Sequence, residues 1–459
     1  MPETKQFIEQ NKEDFLKELS DFLSIPSVST APEHVGDVAK CAEWVSDNLQ
    51  AIGLKNVEIF KTAGHPIVYG EWLEAGENAP TVLFYGHYDV QPTDPIELWT
   101  NPPFEPTIRD GKIFARGAVD DKGQVFLQMK ALQSLFKNNA GKLPVNVKLL
   151  IEGEEEIGSI NLEGFLKEYA EKLKCDTVLV SDTAMYRDGQ PSLVYGLRGL
   201  CYVEVSVTGP NRDLHSGSFG GTLENPLNAL CSIIDSLKDR YGRISVNGFY
   251  ENVLDLTPQE KEEFAGLNFD EKGYLEELQI PMTYGESGFS TLERVWARPT
   301  LDVNGIWGGF TGSGAKTVLP SKAQAKISMR LVPNQTADEI AKKVEAYIKS
   351  IAPPTVKVEV EFLHGADPVL TPMDTPGMKA AQRALKKAFG VDSVFTREGG
   401  SIPIVLLFDR ILKAPTVLMG FGLHSENTHS PDEHFNLHNL FKGIEATAYF
   451  YEEMANEKK

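Results

Sequence analysis

Two apolar periods alternate along this chain. In "TVLFYGHYDV" (81–90), "VNVKLLIEGEEE" (145–156) and "DTVLVSDT" (176–183) the apolar residues run on with little interruption and stop at polar ones. Such runs belong to strands covered on both faces, so they predict a mostly parallel sheet with helices on either side. From about residue 198 the pattern changes. "CYVEVSVTG", "AKISMRLV" and "VKVEVEFL" alternate apolar and polar positions, as half-exposed antiparallel strands do. Between them "NPLNALCSIIDSLKD" and "TADEIAKKVEAYIKSI" have helical spacing, the second opened by Thr336 and Glu339 in capping-box positions. "TPGMKAAQRALKKAFG" then places Pro376 at a helix start and Gly390 at its end, and the first pattern resumes. The predicted architecture is α/β: a doubly wound domain over residues 1–197 and 378–459, interrupted over 198–377 by an α+β insert with one open sheet face.

Length and composition agree with two domains. The chain has 459 residues, 41% of them apolar and 24% charged, more than one hydrophobic core ordinarily serves. No run approaches the roughly 20 apolar residues of a membrane helix. At the N-terminus, Phe7, Ile8, Phe15, Leu19, Phe22 and Leu23 fall mostly at helical spacing among acids, which predicts an amphipathic helix of the mature fold rather than a signal peptide. Cys41, Cys175, Cys201 and Cys231 are far apart with no paired spacing, as expected of reduced residues in a cytoplasmic protein. A formal charge of −20 repels nucleic acid and anionic membranes. "GGFTGSGAKT" (308–317) resembles a phosphate loop, but Ala315 separates the Gly from the Lys and an extended, Pro320-containing segment follows where a helix is needed.

In parallel sheets, ligands bind beyond the carboxyl ends of the strands. The polar residues there are His87 and Asp89, then Glu152, Glu154, Glu155 and Glu156, then Asp182, with Asp120 and Asp121 in a Gly-flanked loop between the first two strands. Singly each has an ordinary explanation: a satisfied strand histidine, a turn, an acidic helix start, an N-cap. Together they gather acids at one edge of an apolar sheet, which is costly unless a cation sits among them. A metal pair is the economical explanation.

The motifs "YGHYDVQP", "WTNPPFEP", "ARGAVDDKG", "EGEEEIGS", "SDT", "RDLHSG", "SMRLVP", "REGGSIP" and "HSPDE" span nearly the whole chain in one order. In that order the chain resembles the dinuclear zinc metallopeptidases of the aminoacylase, carboxypeptidase and carnosine-dipeptidase type, and among them the cytosolic dipeptidase branch. The resemblance implies a catalytic domain interrupted by a ferredoxin-like lid and dimerisation domain. It implies two divalent ions per subunit, zinc or manganese, held by His87, Asp120 as the bridging carboxylate, Glu156, Asp182 and His429, with Asp89 behind His87 and a cis bond between Asp120 and Asp121. His424, in "HSENT", lacks the Pro and acids of the motif and is expected to be a nearby loop residue. Glu155 matches the general base, acting on a water between the ions whose pKa falls toward about 7. Two divalent ions would balance the charges of Asp120, Glu156, Asp182 and ionised Glu155. His215 and Thr317 match residues given in trans to the partner of a homodimer, His215 stabilising the oxyanion. Arg330 matches the fork on the substrate's C-terminal carboxylate, and Glu398 and Ser401 match positions near its free amine and backbone. Ala115 stands where relatives often carry Gly.

The activity so implied is hydrolysis of dipeptides. A deacylase of N-acyl amino acids or a carboxypeptidase would use the same metal centre, and Glu398 distinguishes them, since a carboxylate suits a free ammonium and disfavours a neutral acyl group. A catalytically retired binding protein would have lost Glu155 or a ligand, and every one of those residues is present.

Overall fold

The computed structural model describes residues 2–457 except 401 and 403. It divides into two compact units, one of residues 1–195, 371–396 and 404–459 and one of residues 196–370 and 397–403. The chain therefore returns to the first unit at Thr371 and makes a second, short excursion through the "REGGSIP" segment, which no change of apolar period announces.

The first unit is built on a mixed sheet with the strand order Lys55–Phe60, Ile67–Trp72, Asn146–Glu152, Thr81–His87, Thr177–Val180, Thr416–Leu418 and Ser192–Leu197. The four strands from Asn146–Glu152 to Thr416–Leu418 are parallel, and the flanking pairs are antiparallel. The strands at 81–87 and 146–152 are buried almost end to end, which is why their apolar runs do not alternate. Helix Leu437–Met454 packs between Lys122–Asn138 and Pro376–Phe389, and Phe84, Leu149, Val125, Leu132, Ala381 and Ile444 share one core. Gly390 closes the Pro376 helix in the left-handed conformation, φ 78°, which lacks a Cβ penalty only for glycine. The N-terminal stretch forms two helices, Pro2–Gln10 and Lys12–Leu23, and not the single one expected. The break falls at Asn11, whose side chain donates to Phe7 O at 2.8 Å and so competes with the helical ladder.

The second unit is a four-stranded antiparallel sheet, ordered Thr300–Gly308, Lys322–Leu331, Gly199–Thr208, Lys357–Ala366. Odd-numbered residues of the two central strands are buried and even-numbered ones are not. Helices Pro226–Ser236 and Ala337–Ile351 cover the buried face with a separate core. At the head of the second helix only half of the expected capping box forms. Thr336 accepts from Glu339 N at 3.4 Å, while the Glu339 carboxylate turns to Lys343 at 2.7 Å.

Leu149→Ala should cost about 2–5 kcal/mol in the first unit because the cavity cannot refill. Ile59→Ala, at a position 39% exposed, should change stability by no more than about 0.5 kcal/mol. Urea denaturation midpoints of the two variants test the contrast.

Candidate metal centre

The parallel register brings the sequence-distant acids together. His87 is paired with Glu152 across adjacent strands, and Tyr85 with Val180 on the other side, so His87, Glu152 and, two residues beyond, Asp182 emerge at one edge. The loop before helix Lys122–Asn138 crosses the same edge and carries Asp120 and Asp121, joined by a cis peptide bond. Gly86 makes the approach possible. A Cβ there would lie 2.8 Å from Asp121 Oδ2, the atom that accepts from His87 N at 3.2 Å.

Two groups of donors result, and Asp120 belongs to both. One is His87, Asp120 and Asp182; the other is Asp120, Glu156 and His429. Asp120 Oδ1 lies 3.2 Å from His87 Nε2, and its other oxygen lies 2.8 Å from His429 Nε2. His429 Nε2 is also 3.3 Å from Glu156 Oε2. His424 belongs to neither group. Asp89 stands behind the site: its carboxylate is 3.4 Å from His87 Nδ1 and accepts from the backbone N–H groups of Glu155 and Glu156 at 3.2 and 3.1 Å. Glu152 and Glu154 are satisfied by protein donors. Glu152 accepts from Tyr85 and Ser159 at 2.5 and 2.8 Å, and Glu154 accepts from His65 N and from the side chain and backbone of Asn161.

The fit to cations can be tested on one atom. His87 Nε2 is fully buried and, although Asp120 Oδ1 lies 3.2 Å away, the two do not meet in hydrogen-bond geometry, which leaves a buried nitrogen incompletely satisfied. A ligand aimed between Asp120 and Asp182 accounts for it. The charges point the same way. Burial and the Asp120 carboxylate push Asp182 up to about 7. Burial likewise lifts Glu155 far above the usual carboxylate range. Burial alone would raise Asp120 too, but the imidazoles of His429 and His87 hold it low. In return the bonds to Asp120 and Glu156 push His429 up to about 10. A protonated His429 thus occupies the electrostatic place of a cation in the metal-free protein.

These donors lie within a stretch, residues 83–453, that matches the model of peptidase family M20/M25/M40. The chain belongs to that family. It is 33% identical to the Cys-Gly metallodipeptidase of Schizosaccharomyces pombe, over 98% of each chain. Among solved structures it is similar to human carnosine dipeptidase 1, with a TM-score of 0.85, 30% identity and 99% of each chain covered. It is similar also to an M20 family metallo-carboxypeptidase from Sulfolobus solfataricus, with a TM-score of 0.83, 32% identity and coverage of 96% and 99%. An α/β sheet domain carrying an antiparallel insert is the architecture of these M20 enzymes.

His215, Thr317, Arg330 and Glu398, also singled out in the sequence, belong to the second unit. His215 and Thr317 are neighbours there. A two-stranded ribbon pairs His215 with Val318, and Thr317 O accepts from Ser216 N at 3.1 Å. His215 Nδ1 accepts from Gly217 N at 3.0 Å, which leaves the ring proton on the exposed Nε2. Arg330 lies on the face of the sheet away from the helices, opposite Leu200 and Thr300. The backbone O of Glu398 accepts from Arg198 N at 3.2 Å. Ser401 lies outside the described residues. Two further residues escaped the sequence reading, Gln91 and Glu433, each inside a motif that drew attention for its histidine. Gln91 Nε2 donates to Glu156 Oε2 at 2.7 Å.

In the metal-free protein Asp182 and His429 both have folded pKa values above their ordinary ones. Each therefore stabilises the fold below its ordinary value and loses that stabilisation as pH rises, from 3.8 to about 7 for Asp182 and from 6.5 to about 10 for His429. Depressed Asp120 contributes fully throughout this range. The melting temperature of metal-free protein should fall between pH 5 and pH 9, and saturating zinc should flatten the slope while releasing protons into a weak buffer. An unchanged slope with zinc would contradict the assignment.

Proposed function

We propose that this chain is a dipeptidase that hydrolyses its substrate with two divalent ions. His87 and Asp182 would hold one ion and Glu156 and His429 the other, with Asp120 shared. The observation that carries the reading is the division of the Asp120 carboxylate, one oxygen toward each donor group, beside a buried His87 nitrogen that has no hydrogen bond. Zinc suits the mixed nitrogen and oxygen donors, and manganese is the second candidate. When bound, such a pair supplies Lewis-acid polarisation of the scissile carbonyl and a more acidic water.

The chain's own residues do the rest. Glu155, with its pKa lifted by burial, is the base that takes a proton from the attacking water and delivers it to the leaving amine. Asp89 fixes the backbone of Glu155 and Glu156 and the ring of His87. Arg330 grips the substrate's carboxylate, Glu398 its ammonium, and Ser401 its backbone. In this reading residues 1–197 and 378–459 are the catalytic domain, and 198–377 the lid and dimerisation domain of a cytoplasmic homodimer. His215 and Thr317 act on the partner's substrate, where the Nε2 proton of His215 meets the oxyanion. No helix among the described residues is long and apolar enough to cross a membrane.

A second reading, a carboxypeptidase on longer peptides, is favoured by the likeness to the Sulfolobus enzyme. Turnover by metal-free protein reconstituted with zinc or manganese separates the two. Free dipeptides should be cleaved, with tripeptides, N-acetyl dipeptides and N-acyl amino acids poor substrates. Preference for tripeptides would establish the carboxypeptidase, and preference for N-acyl amino acids a deacylase.

Glu155→Gln should lower kcat by about 10²–10⁴ with two ions still bound and KM little changed. His215→Ala should also be nearly inactive. If His215 acts in trans, mixing the two inactive variants under subunit exchange should restore about a quarter of wild-type activity, because half the dimers then carry one competent site of two. No recovery would place His215 in cis.

A further inference from the structure

Glu433 ends the "HSPDE" stretch and is 1% exposed. A buried carboxylate has to be satisfied, and this one is satisfied four times. Oε2 accepts from Arg116 Nη1 at 2.7 Å and from Gly117 N at 3.1 Å, while Oε1 accepts from Val119 N at 3.0 Å and Asp120 N at 3.2 Å. One side chain thus fastens the loop that carries His429 to the loop that carries Asp120. Arg116, equally buried, extends the connection by donating through Nη2 to Pro92 O at 2.9 Å. The neighbouring Gln91 donates to the Glu156 carboxylate. His429, Asp120 and Glu156 are the three donors of one group, and each is reached from Glu433 through these hydrogen bonds and the short covalent stretches that join them.

The backbone around His429 needs such a restraint. His429 and Asp432 both adopt left-handed conformations, φ 60° and 56°, which side-chain-bearing residues disfavour and keep only where surrounding contacts hold them. Asp432 is held in turn by Thr100, whose N–H and hydroxyl donate to its carboxylate at 2.9 and 2.6 Å. The Arg116 charge balances that of Glu433, so the clamp adds no net charge to the donors beside it.

We propose that Glu433, with Arg116 and Gln91, is a positioning device that sets the geometry of the Asp120, Glu156 and His429 group and bears on the His87, Asp120 and Asp182 group only through the shared Asp120. This rests on the two-ion reading above. Its role differs from that of a merely structural ion pair, whose loss lowers stability and weakens both ions alike.

Competition between metal-free protein and a chromophoric chelator for Zn²⁺ resolves two successive affinities and tests the difference. Glu433→Gln keeps the shape of the side chain but turns an amide toward N–H donors. It should weaken one zinc by about 10–100-fold, the usual effect of removing a ligand's supporting partner, and the other by less than about threefold. Glu433→Asp should recover part of the loss. Gln91→Leu removes two hydrogen bonds to Glu156, at 2.7 Å to its carboxylate and 3.5 Å to its backbone O, at a less buried position and should weaken the same zinc, so the test stands even if Glu433→Gln does not fold. Equal weakening of both ions, or two wild-type affinities in Glu433→Gln and Gln91→Leu, would overturn the proposal. Fewer than two zinc ions on the wild-type protein would instead overturn the two-ion reading and this inference with it.

Discussion

Five carboxylates, those of Asp120, Asp121, Glu155, Glu156 and Asp182, gather with two imidazoles at one edge of an apolar sheet, and the rest of the first unit is arranged to keep them there against their mutual repulsion. Burial makes the problem worse, because removing a carboxylate from water costs far more than any single hydrogen bond returns. The protein answers by sharing: Asp120 faces both histidines, Asp121 takes the His87 amide, and Asp89 takes the amides of Glu155 and Glu156. In the absence of metal the balance is struck by protons, with His429 pushed up to about 10 and Asp182 to about 7. A site that binds protons so strongly is one in which cations displace them.

The supporting residues are as specialised as the donors. Glu433 and Arg116 bury a full ion pair beside the cluster, and breaking such a pair ordinarily costs about 3–5 kcal/mol. Glu152 and Glu154 are acids in the same run as Glu155 and Glu156, yet they are occupied by Tyr85, Ser159, His65 and Asn161. Four consecutive-looking acids thus divide into two satisfied by protein donors and two that face the site. The division follows from the turn Glu155–Ile157, which ends the buried strand and redirects the chain.

The second unit carries polar groups of a different kind. His215 and Thr317 lie side by side at a short ribbon, more than 25 residues from any proposed metal ligand along the chain, and Arg330 stands on the sheet face opposite helices Pro226–Ser236 and Ala337–Ile351.

Much of this was legible in the chain itself. Uninterrupted apolar runs identify the parallel strands because a strand covered on both faces has no polar side to show, and alternation identifies the insert because its sheet has one. The polar endings of those runs mark His87, Glu155, Glu156 and Asp182 as candidates before any coordinate is known. What the sequence could not determine is who satisfies whom. Glu152 and Glu156 look alike in "EGEEE", and Glu433 looks like a passenger behind His429, because a hydrogen-bond partner 317 residues away is chosen only when the loops meet. The break at Asn11 and the excursion of residues 397–403 into the second unit were likewise decided by tertiary contacts. Apolar period is a local property, and the sequence carries it whole; the pairing of buried charges is a property of the assembled fold.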